Sequence, residues 1–205
     1  MRSPVVILLA FLCVVGGSGF IVPARADGAA AYPGADADLQ LIMSDLQRVK
    51  TSQNKFVERK YLRMLSQPLE SSGTLIYVAP DHLEKNTERP QPETLVVDGQ
   101  SLVIGGDPGG QARTLALPDN PEIWALVEGI RATLAGDLPG LSRFYAVNLQ
   151  GNVTDWKLRL EPRDTRVQAM VKSMVMSGHN GQLDRIETFE ADGDRSVMTV
   201  LPGRP

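Results

Sequence analysis

The feature that most constrains the fold is an apolar helical segment, residues 120–145, inside a chain that otherwise shows short strand patterns. Pro121 suits the first helical position, and Asp119 or Asn120 can cap the free N–H groups there. The apolar residues recur at helical spacing, and they are Ile123, Leu126, Val127, Ile130 and Leu134. One apolar helix interrupting a series of strands must lie on a sheet or close the mouth of a curved one. A plain core helix and a cover over a cavity are both compatible with this pattern.

Two shorter helices are also predicted. Gly136 marks a left-handed stop after the apolar stripe, and Asp137-Leu138-Pro139 then begins a short second helix. Near the start of the mature chain, Asp36 or Asp38 can cap a first helix. Its apolar positions at helical spacing are Leu39, Ile42, Met43, Leu46 and Val49. This amphipathic helix is expected to pack one face on the sheet.

The remaining segments alternate with a period of two, which is typical of strands in an antiparallel sheet. Trp156, Leu158 and Leu160, for example, alternate with Lys157, Arg159 and Glu161. Strand patterns occupy residues 54–65, 72–80, 82–90, 93–106, 112–118, 144–152, 154–162 and, as three strands, 169–201. Turns are expected at Asp98-Gly99, Gly151-Asn152, Asn180-Gly181 and Asp192-Gly193. The prediction is a mainly β fold with helices (α+β): ten or eleven strands in hairpin succession, forming a curved antiparallel sheet or incomplete barrel with helices over one mouth.

Residues 1–26 predict a cleaved Sec-type signal peptide and not part of the fold. Arg2 precedes an apolar run, and Ala24-Arg25-Ala26 is an A-x-A site that favours cleavage after Ala26. An uncleaved membrane anchor is the alternative, since the apolar run is nearly long enough to span a bilayer. Cys13 lies inside the run after a large leucine, which argues against lipidation. Residues 27–205 are then expected to form a single exported domain.

Composition removes several functional classes. The mature chain has no cysteine, so neither a disulfide framework nor a thiol nucleophile is available. Two of the 21 basic residues, Arg2 and Arg25, precede the cleavage site. The mature chain therefore has 21 − 2 = 19 basic residues against 24 acidic ones, and its net charge is negative. This charge balance does not support nucleic-acid binding, which needs a basic face.

Catalytic and metal-binding patterns are missing as well. Of the two histidines, His179 lies in a predicted hairpin turn, and charged neighbours such as Glu84-Lys85 are interpreted as solvated faces. The glycine-rich residues 105–110 lack a lysine and a following helix, so they are interpreted as a loop and not a phosphate site. Asp192-Gly193-Asp194 offers too few oxygens for calcium. The expectation is a protein that is not an enzyme, with no cofactor and no metal.

What remains is apolar surface on a curved sheet. A small antiparallel barrel either fills with its own side chains or holds a ligand, and both alternatives stay open on the residues alone. Aliphatic walls with few convergent polar groups suit acyl chains better than heterocyclic cofactors. The predicted cavity-facing residues of the sheet are Phe56, Leu75, Tyr77, Leu83, Leu102, Ile104, Trp156, Leu158, Leu160, Ile186 and Met198. The helical stripe listed above adds Ile123, Leu126, Val127, Ile130 and Leu134.

Several motifs in order resemble the periplasmic outer-membrane lipoprotein carrier (LolA-like) family. They are F-x-E at Phe56, G-x-L-x-Y-x-x-P-D-x-L at 73–83, V-D-G-x-x-L at 97–102, and G-H-N-G-x-L-x-x-I-E with E-A-D-G-D-R-S within 178–196. The resemblance covers essentially the whole mature chain and depends on the order and spacing of these motifs. It implies an incomplete antiparallel barrel with an α-helical lid formed by residues 120–145.

The chain departs from the family at two positions. The family carries an arginine that latches the lid just before the proline ending the second strand, where this chain has Ala79. The family also has a tryptophan where this chain has Val103. The resemblance therefore implies a divergent member whose lid is held by packing or by another polar group, and whose cargo can be a different lipid.

Three functional hypotheses follow. The first is a soluble, monomeric periplasmic carrier that binds acyl chains of lipoproteins or other lipids and ferries them from inner towards outer membrane. Its partners would be the acylated cargo, an inner-membrane donor and an outer-membrane acceptor protein, with no nucleic acid. The alternative is a lipid-sensing regulatory binding protein of the cell envelope on the same fold. The third, a lipid hydrolase, is disfavoured by the missing nucleophile constellation.

Overall fold

The computed structural model describes residues 35–105 and 112–203. The predicted signal peptide, residues 1–26, lies outside the described residues, as does most of the glycine-rich loop at 105–110. No helix among the described residues combines the length and apolar character needed to cross a membrane.

Eleven strands form one antiparallel sheet, which confirms the predicted mainly β fold. The strands are β1 Thr51–Tyr61, β2 Leu69–Val78, β3 His82–Arg89, β4 Glu93–Asp98, β5 Ser101–Gly105, β6 Arg113–Ala116, β7 Tyr145–Asn152, β8 Asp155–Pro162, β9 Val171–His179, β10 Gln182–Glu190 and β11 Arg195–Leu201. Their spatial order is β6-β5-β4-β3-β2-β1-β11-β10-β9-β8-β7. Among the neighbouring pairs of these described strands, β1 and β11 are the one pair that is distant in sequence.

The sheet is open, because β6 and β7 are its two edges and do not pair with each other. The chain between these edges is helical: a 3₁₀ turn Leu117–Asp119, helix α2 Pro121–Leu134 and helix α3 Leu138–Phe144. We call residues 117–144 the helical insert. The helical insert connects the two edge strands, which do not pair with each other. The curved, incomplete barrel expected from the sequence is therefore confirmed.

Two further helices complete the fold. Helix α1, Ala35–Arg48, was predicted from its apolar spacing, and its residues Ile42, Met43 and Leu46 are buried. Helix α4, Thr165–Gln168, was not predicted, because a single turn is too short to show a 3.6-residue period. The Asp164 side chain caps α4 by accepting a hydrogen bond from the Arg166 N–H at 2.8 Å.

The junction between α2 and α3 follows the sequence signals. Gly136 has φ +64°, and a β-carbon there would lie 2.1 Å from the Met43 carbonyl oxygen of α1. The Asp137 side chain accepts from the Gly140 N–H at 2.9 Å and so caps α3. The predicted cap of α2 is wrong, since the Asn120 side chain makes no cap bond and donates instead to the Ala116 carbonyl at 2.8 Å.

Two of the four predicted hairpin turns lie where the sequence predicted them. The β4–β5 turn is shifted by one residue to Gly99-Gln100, because Asp98 pairs with Ser101 at the end of β4. Asn180 and Gly181 both have positive φ, 45° and 73°, between β9 and β10. The β7–β8 turn differs, because β7 continues through Asn152 and the chain reverses at residues 153–154. The Asn152 side-chain oxygen accepts from the Thr154 N–H at 2.9 Å, which stabilises the later turn.

A packed core lies between the β7–β10 part of the sheet and the helices. Its buried members are Ile42, Met43, Leu46, Ala132, Leu141, Tyr145, Leu149, Trp156, Leu158, Leu160, Val171, Met174, Met176 and Ile186. We call this set the core cluster. It draws on α1, α2 and α3 from one side and on four strands from the other, so the helices are fixed over this half of the sheet.

Candidate functional site

All eleven predicted sheet residues lie on one face of the sheet. Paired residues of an antiparallel sheet share a face, and so do residues two apart in a strand. Across β2 to β5 the pairs Tyr77–Leu83, Leu83–Val97 and Val97–Leu102 form one row, with Leu75 and Ile104 two residues away from it. We call the face that carries this row the inner face.

The same face continues through β1 into the other half of the sheet. Tyr77 pairs with Ser52, four residues before Phe56, which places Phe56 on the inner face. Glu58 pairs with Met198, and Met198 pairs with Ile186. The remaining registers, Ile186–Met176, Met176–Leu158 and Leu160–Met174, carry the face to β8.

The inner face divides into two regions of different character. Trp156, Leu158, Leu160 and Ile186 belong to the core cluster, and Met198 packs against it. In this region side chains of the helices fill the space over the sheet. The filled alternative left open by the sequence therefore describes the β8–β10 half.

The second region is formed by β1 to β5. Its predicted residues Phe56, Tyr77, Leu102 and Ile104 are buried but lie outside the core cluster, while Leu75 and Leu83 are half-buried. The predicted residues of the helical insert divide in the same way. Leu126 and Ile130 pack against the core cluster, whereas Ile123 and Val127 are buried outside it; Leu134 is half-buried.

One hydrogen bond ties α2 to the sheet on the side of this second region. Arg131 Nη1 donates to the Gly99 carbonyl oxygen, in the β4–β5 turn, at 2.9 Å. Ile123, Val127 and Arg131 are spaced four residues apart and form one ridge of the helix, next to the parallel ridge of Leu126, Ile130 and Leu134. The Arg131 guanidinium also contacts the Glu128 carboxylate, which accepts from Trp124 Nε1 at 3.0 Å.

This contact supplies a polar link between helix and sheet in a chain that has Ala79 where the family has its arginine. The side chain belongs to the helix and the acceptor to the sheet. Sequence reasoning missed Arg131, because nothing in the pattern of a helix shows which turn of a distant hairpin it reaches. The available signal was the position of Arg131 four residues after Val127, which puts both residues on the same side of the helix.

A charged group lies on the inner face, which the sequence analysis did not predict. Lys85, interpreted from sequence as solvated, pairs with Glu58 at 2.6 Å and lies 5.2 Å from the centre of the Phe56 ring. That interpretation is wrong for Lys85, whose spacing of two residues from Leu83 was the missed signal. Burial raises the pKa of Glu58, but the charge and hydrogen bond of Lys85, the Ser196 hydrogen bond and the Lys60 charge together outweigh burial, so the pKa is lowered. Burial raises the pKa of Glu93, which the register places on the same face.

Two buried polar atoms on the inner face have no hydrogen-bond partner among the described residues: the Tyr77 hydroxyl and Trp156 Nε1. By contrast, the Tyr145 hydroxyl donates to the Ala125 carbonyl of α2 at 2.7 Å. Gly129 allows this close approach, since a β-carbon there would lie 3.2 Å from Tyr145 and Met174. Burial raises the pKa of both tyrosines.

The other polar groups considered from the sequence lie elsewhere. Both histidines pair with carboxylates, His179 with Asp184 at 2.5 Å and His82 with Glu84 at 3.7 Å. Carboxylate oxygens of Glu190, Asp192 and Asp194 lie within 4.8 Å of one another near the β10–β11 turn.

Contacts within the protein already balance the negative charge of these three carboxylates. Lys60 Nζ lies 3.3 Å from Glu190, and the Arg63 backbone N–H donates to Asp194 at 2.8 Å. The Asp194 N–H in turn donates to the Asp192 carboxylate at 3.0 Å. These contacts account for the group as a structural feature of the turn.

The family comparison agrees with the architecture just described. Residues 29–204 match the model of the family described as "Outer membrane lipoprotein carrier protein LolA-like". A match of this extent covers nearly the whole chain, and the protein belongs to that family. No curated protein matches the sequence.

Solved structures with similar folds share little sequence with the chain. The LolA superfamily protein NE2245 from Nitrosomonas europaea is 11% identical, with a TM-score of 0.40, over 82% of this chain and 95% of that one. LprF from Mycobacterium bovis is 11% identical, with a TM-score of 0.35, over 80% and 91%. The Pseudomonas aeruginosa MucA/MucB complex matches at 14% identity and a TM-score of 0.43, over 80% of this chain but only 56% of that chain. Similarity at this level carries no functional argument.

Proposed function

We propose that this protein is a periplasmic carrier that takes acyl chains of lipoproteins or other lipids out of water and moves them from the inner towards the outer membrane. The acyl chain would lie on the inner face of β1 to β5, beneath the Ile123 and Val127 side of α2. The observation that carries the proposal is the division of the inner face: one half is filled by the core cluster, and the other half carries a row of apolar side chains outside that cluster, on the side where Arg131 of α2 bonds to the β4–β5 turn.

The proposed acyl-binding residues are those of the second region. They are Phe56, Leu75, Tyr77, Leu83, Leu102 and Ile104 from the sheet, with Ile123 and Val127 from the insert. The other predicted residues, on β8 to β11 and on the Ile130 side of α2, are proposed to support the site from the core. Membership of the carrier family supports this assignment of function.

Hydrophobic transfer supplies the binding energy in this proposal. Each methylene removed from water contributes about 0.8 kcal/mol, so ten of them amount to about 8 kcal/mol before ordering costs. That upper limit corresponds to micromolar binding, and each kcal/mol lost to ordering weakens it about fivefold. Binding in this range suits a carrier, because cargo must be released at an acceptor as well as bound.

The test is mass spectrometry of an organic extract from protein purified natively, without detergent, from its own periplasm. Acylated lipids or lipoproteins at a substantial molar fraction of the protein are expected. A matched sample of the Ile123→Asp variant, which places a charge on the proposed binding side of α2, is expected to carry much less lipid. Equal lipid in both samples, or none in the wild type, would contradict the proposal. A membrane protein co-purifying stably in place of lipid would favour the regulatory alternative.

A further inference from the structure

The buried Tyr77 hydroxyl is the unexplained polar group nearest to the proposed acyl site. Tyr77 is 2% exposed, and its hydroxyl makes no hydrogen bond with any described residue. Leaving such a group unpaired costs about 1–3 kcal/mol, and buried hydroxyls are therefore almost always satisfied. Phenylalanine would fill the same space without that cost, so the hydroxyl indicates a partner other than the residues that the structure describes.

The position of Tyr77 defines what that partner can be. It lies on the inner face in a row with Leu83, Val97 and Leu102, whose side chains offer only carbon. Val97 and Leu102 of this row flank the β4–β5 turn, in which the Gly99 carbonyl accepts the hydrogen bond from Arg131 of α2. The hydroxyl is thus at the end of the acyl region where the helical insert is tied to the sheet.

Burial and the Asp81 carboxylate raise the pKa of Tyr77, so its hydroxyl stays protonated and can donate a hydrogen bond. Arg131 uses two of its five N–H donors in the contacts with Gly99 and Glu128 found among the described residues. The Arg131 charge acts on Tyr77 and lowers its pKa, while burial and Asp81 act in the opposite direction with the larger effect. A neutral phenol is a donor and suits an uncharged acceptor such as a carbonyl oxygen of the ligand.

We propose that the Tyr77 hydroxyl donates a hydrogen bond to the acyl carbonyl oxygen of the bound lipid, which fixes the head of the chain beneath Arg131 while the methylenes extend over Phe56 and Ile104. This inference rests on the proposed function and adds the group that orients the ligand. The shared chemistry is an acyl carbonyl, which occurs in a free fatty acid and in the ester of a lipoprotein or phospholipid.

The experiment compares Tyr77→Phe with Tyr145→Phe, a matched pair of buried inner-face tyrosines. Thermal unfolding of the full mature chain reports on each hydroxyl in the free protein. The Tyr145 hydroxyl is bonded to Ala125, so its removal is expected to lower the midpoint by about 2–4 °C. Removal of the Tyr77 hydroxyl is expected to leave the midpoint unchanged or to raise it, because no bond within the protein is lost.

Ligand affinity is measured by displacement of the dye 1-anilinonaphthalene-8-sulfonate with laurate, methyl laurate and dodecylammonium, after calibrating the dye for each variant. Tyr77→Phe is expected to weaken the carbonyl ligands about 3- to 10-fold, the loss of one ordinary hydrogen bond, and to leave dodecylammonium unchanged because it has no acceptor. A loss for laurate alone assigns the free acid, and a loss for methyl laurate as well assigns the ester.

Four results would overturn the inference. If Tyr77→Phe lowers the midpoint as much as Tyr145→Phe and leaves every affinity unchanged, the hydroxyl is satisfied by water only. If it weakens all three ligands equally, the tyrosine acts through packing. If the wild type and Tyr77→Phe bind laurate equally well, the proposed function stands and this inference is contradicted. If the wild type binds none of the three ligands, both the proposed function and this inference are contradicted.

Discussion

At the scale of single residues, the fold depends on Gly136, where the end of α2 lies against the backbone of α1. Gly136 ends α2 with a left-handed backbone, and α1 passes so close that a β-carbon would meet the Met43 carbonyl oxygen at 2.1 Å. Both constraints act against any side chain. We expect Gly136→Ala to cost more than about 2 kcal/mol in unfolding free energy, measured by urea denaturation.

Gly105→Ala is the matched control for this measurement. A β-carbon at Gly105 meets nothing within 4 Å, and its φ is not in the left-handed range. The control is expected to change stability by less than about 0.5 kcal/mol. Equal effects of the two substitutions would contradict the close contact between α1 and the α2–α3 junction.

The inner-face ion pair leads to a second residue-scale prediction. Lys85→Met leaves the Glu58 carboxylate largely buried without its counter-charge, which is expected to cost about 3 kcal/mol at pH 7. Lys55→Met is the control, because Lys55 and Glu88 pair at 2.8 Å with both side chains more than half exposed. That loss is expected to stay below about 1 kcal/mol.

The same pair predicts the direction of the pH dependence. Because the pKa of Glu58 is lowered in the folded protein, its contribution to stability is present above the ordinary glutamate value of 4.5 and is lost as pH falls through the lowered value. Wild-type protein should therefore lose more stability below about pH 5 than Glu58→Gln does. Urea unfolding at a series of pH values measures both curves, and parallel curves would show that the pair is not formed.

At the scale of elements, two adjacent ridges of helix α2 lie in different surroundings. Ile130 is half-buried against the core cluster, whereas Ile123 is 1% exposed and lies outside it. Ile130→Ala is expected to lower stability by about 2 kcal/mol, near the lower limit for buried isoleucines, and to leave laurate affinity unchanged. Ile123→Ala is expected to weaken laurate binding several-fold, because the removed carbons would contact the acyl chain.

Urea unfolding and laurate displacement on the same purified variants make this comparison. The two substitutions remove the same atoms from one helix, so chemistry and helix propensity are matched. Equal changes in affinity for both variants would show that α2 has no ligand-facing side. The insert would then be an ordinary core helix.

At the scale of the whole molecule, the proposed role requires export. The sequence of residues 1–26 predicts removal of the signal peptide and a mature protein that begins at Asp27. N-terminal sequencing of protein from an osmotic-shock fraction is expected to read Asp27-Gly28-Ala29. A retained Met1 in the membrane fraction would support the anchor alternative and contradict a free carrier.

Much of the architecture was predictable because it depends on local signals. The apolar spacing from Ile123 to Leu134, the period of two around Trp156 and the glycine at position 136 each act within a few residues. The alternation also placed all eleven predicted sheet residues on one face, which the strand registers bear out. Single turns such as α4, and the exact position of the β7–β8 turn, are too short for any period to appear.

What the sequence by itself determined was therefore the set of strands, the helical insert between them and the side of each strand that faces inward. The tertiary structure alone decided which part of that inward face is filled, because filling depends on where α1 and α2 lie across strands distant in sequence. It also decided the partners of Lys85 and Arg131 and left the Tyr77 hydroxyl without a partner among the described residues. Their charges and hydrogen bonds depend on distances of a few ångströms between separate elements, and no local pattern encodes such distances.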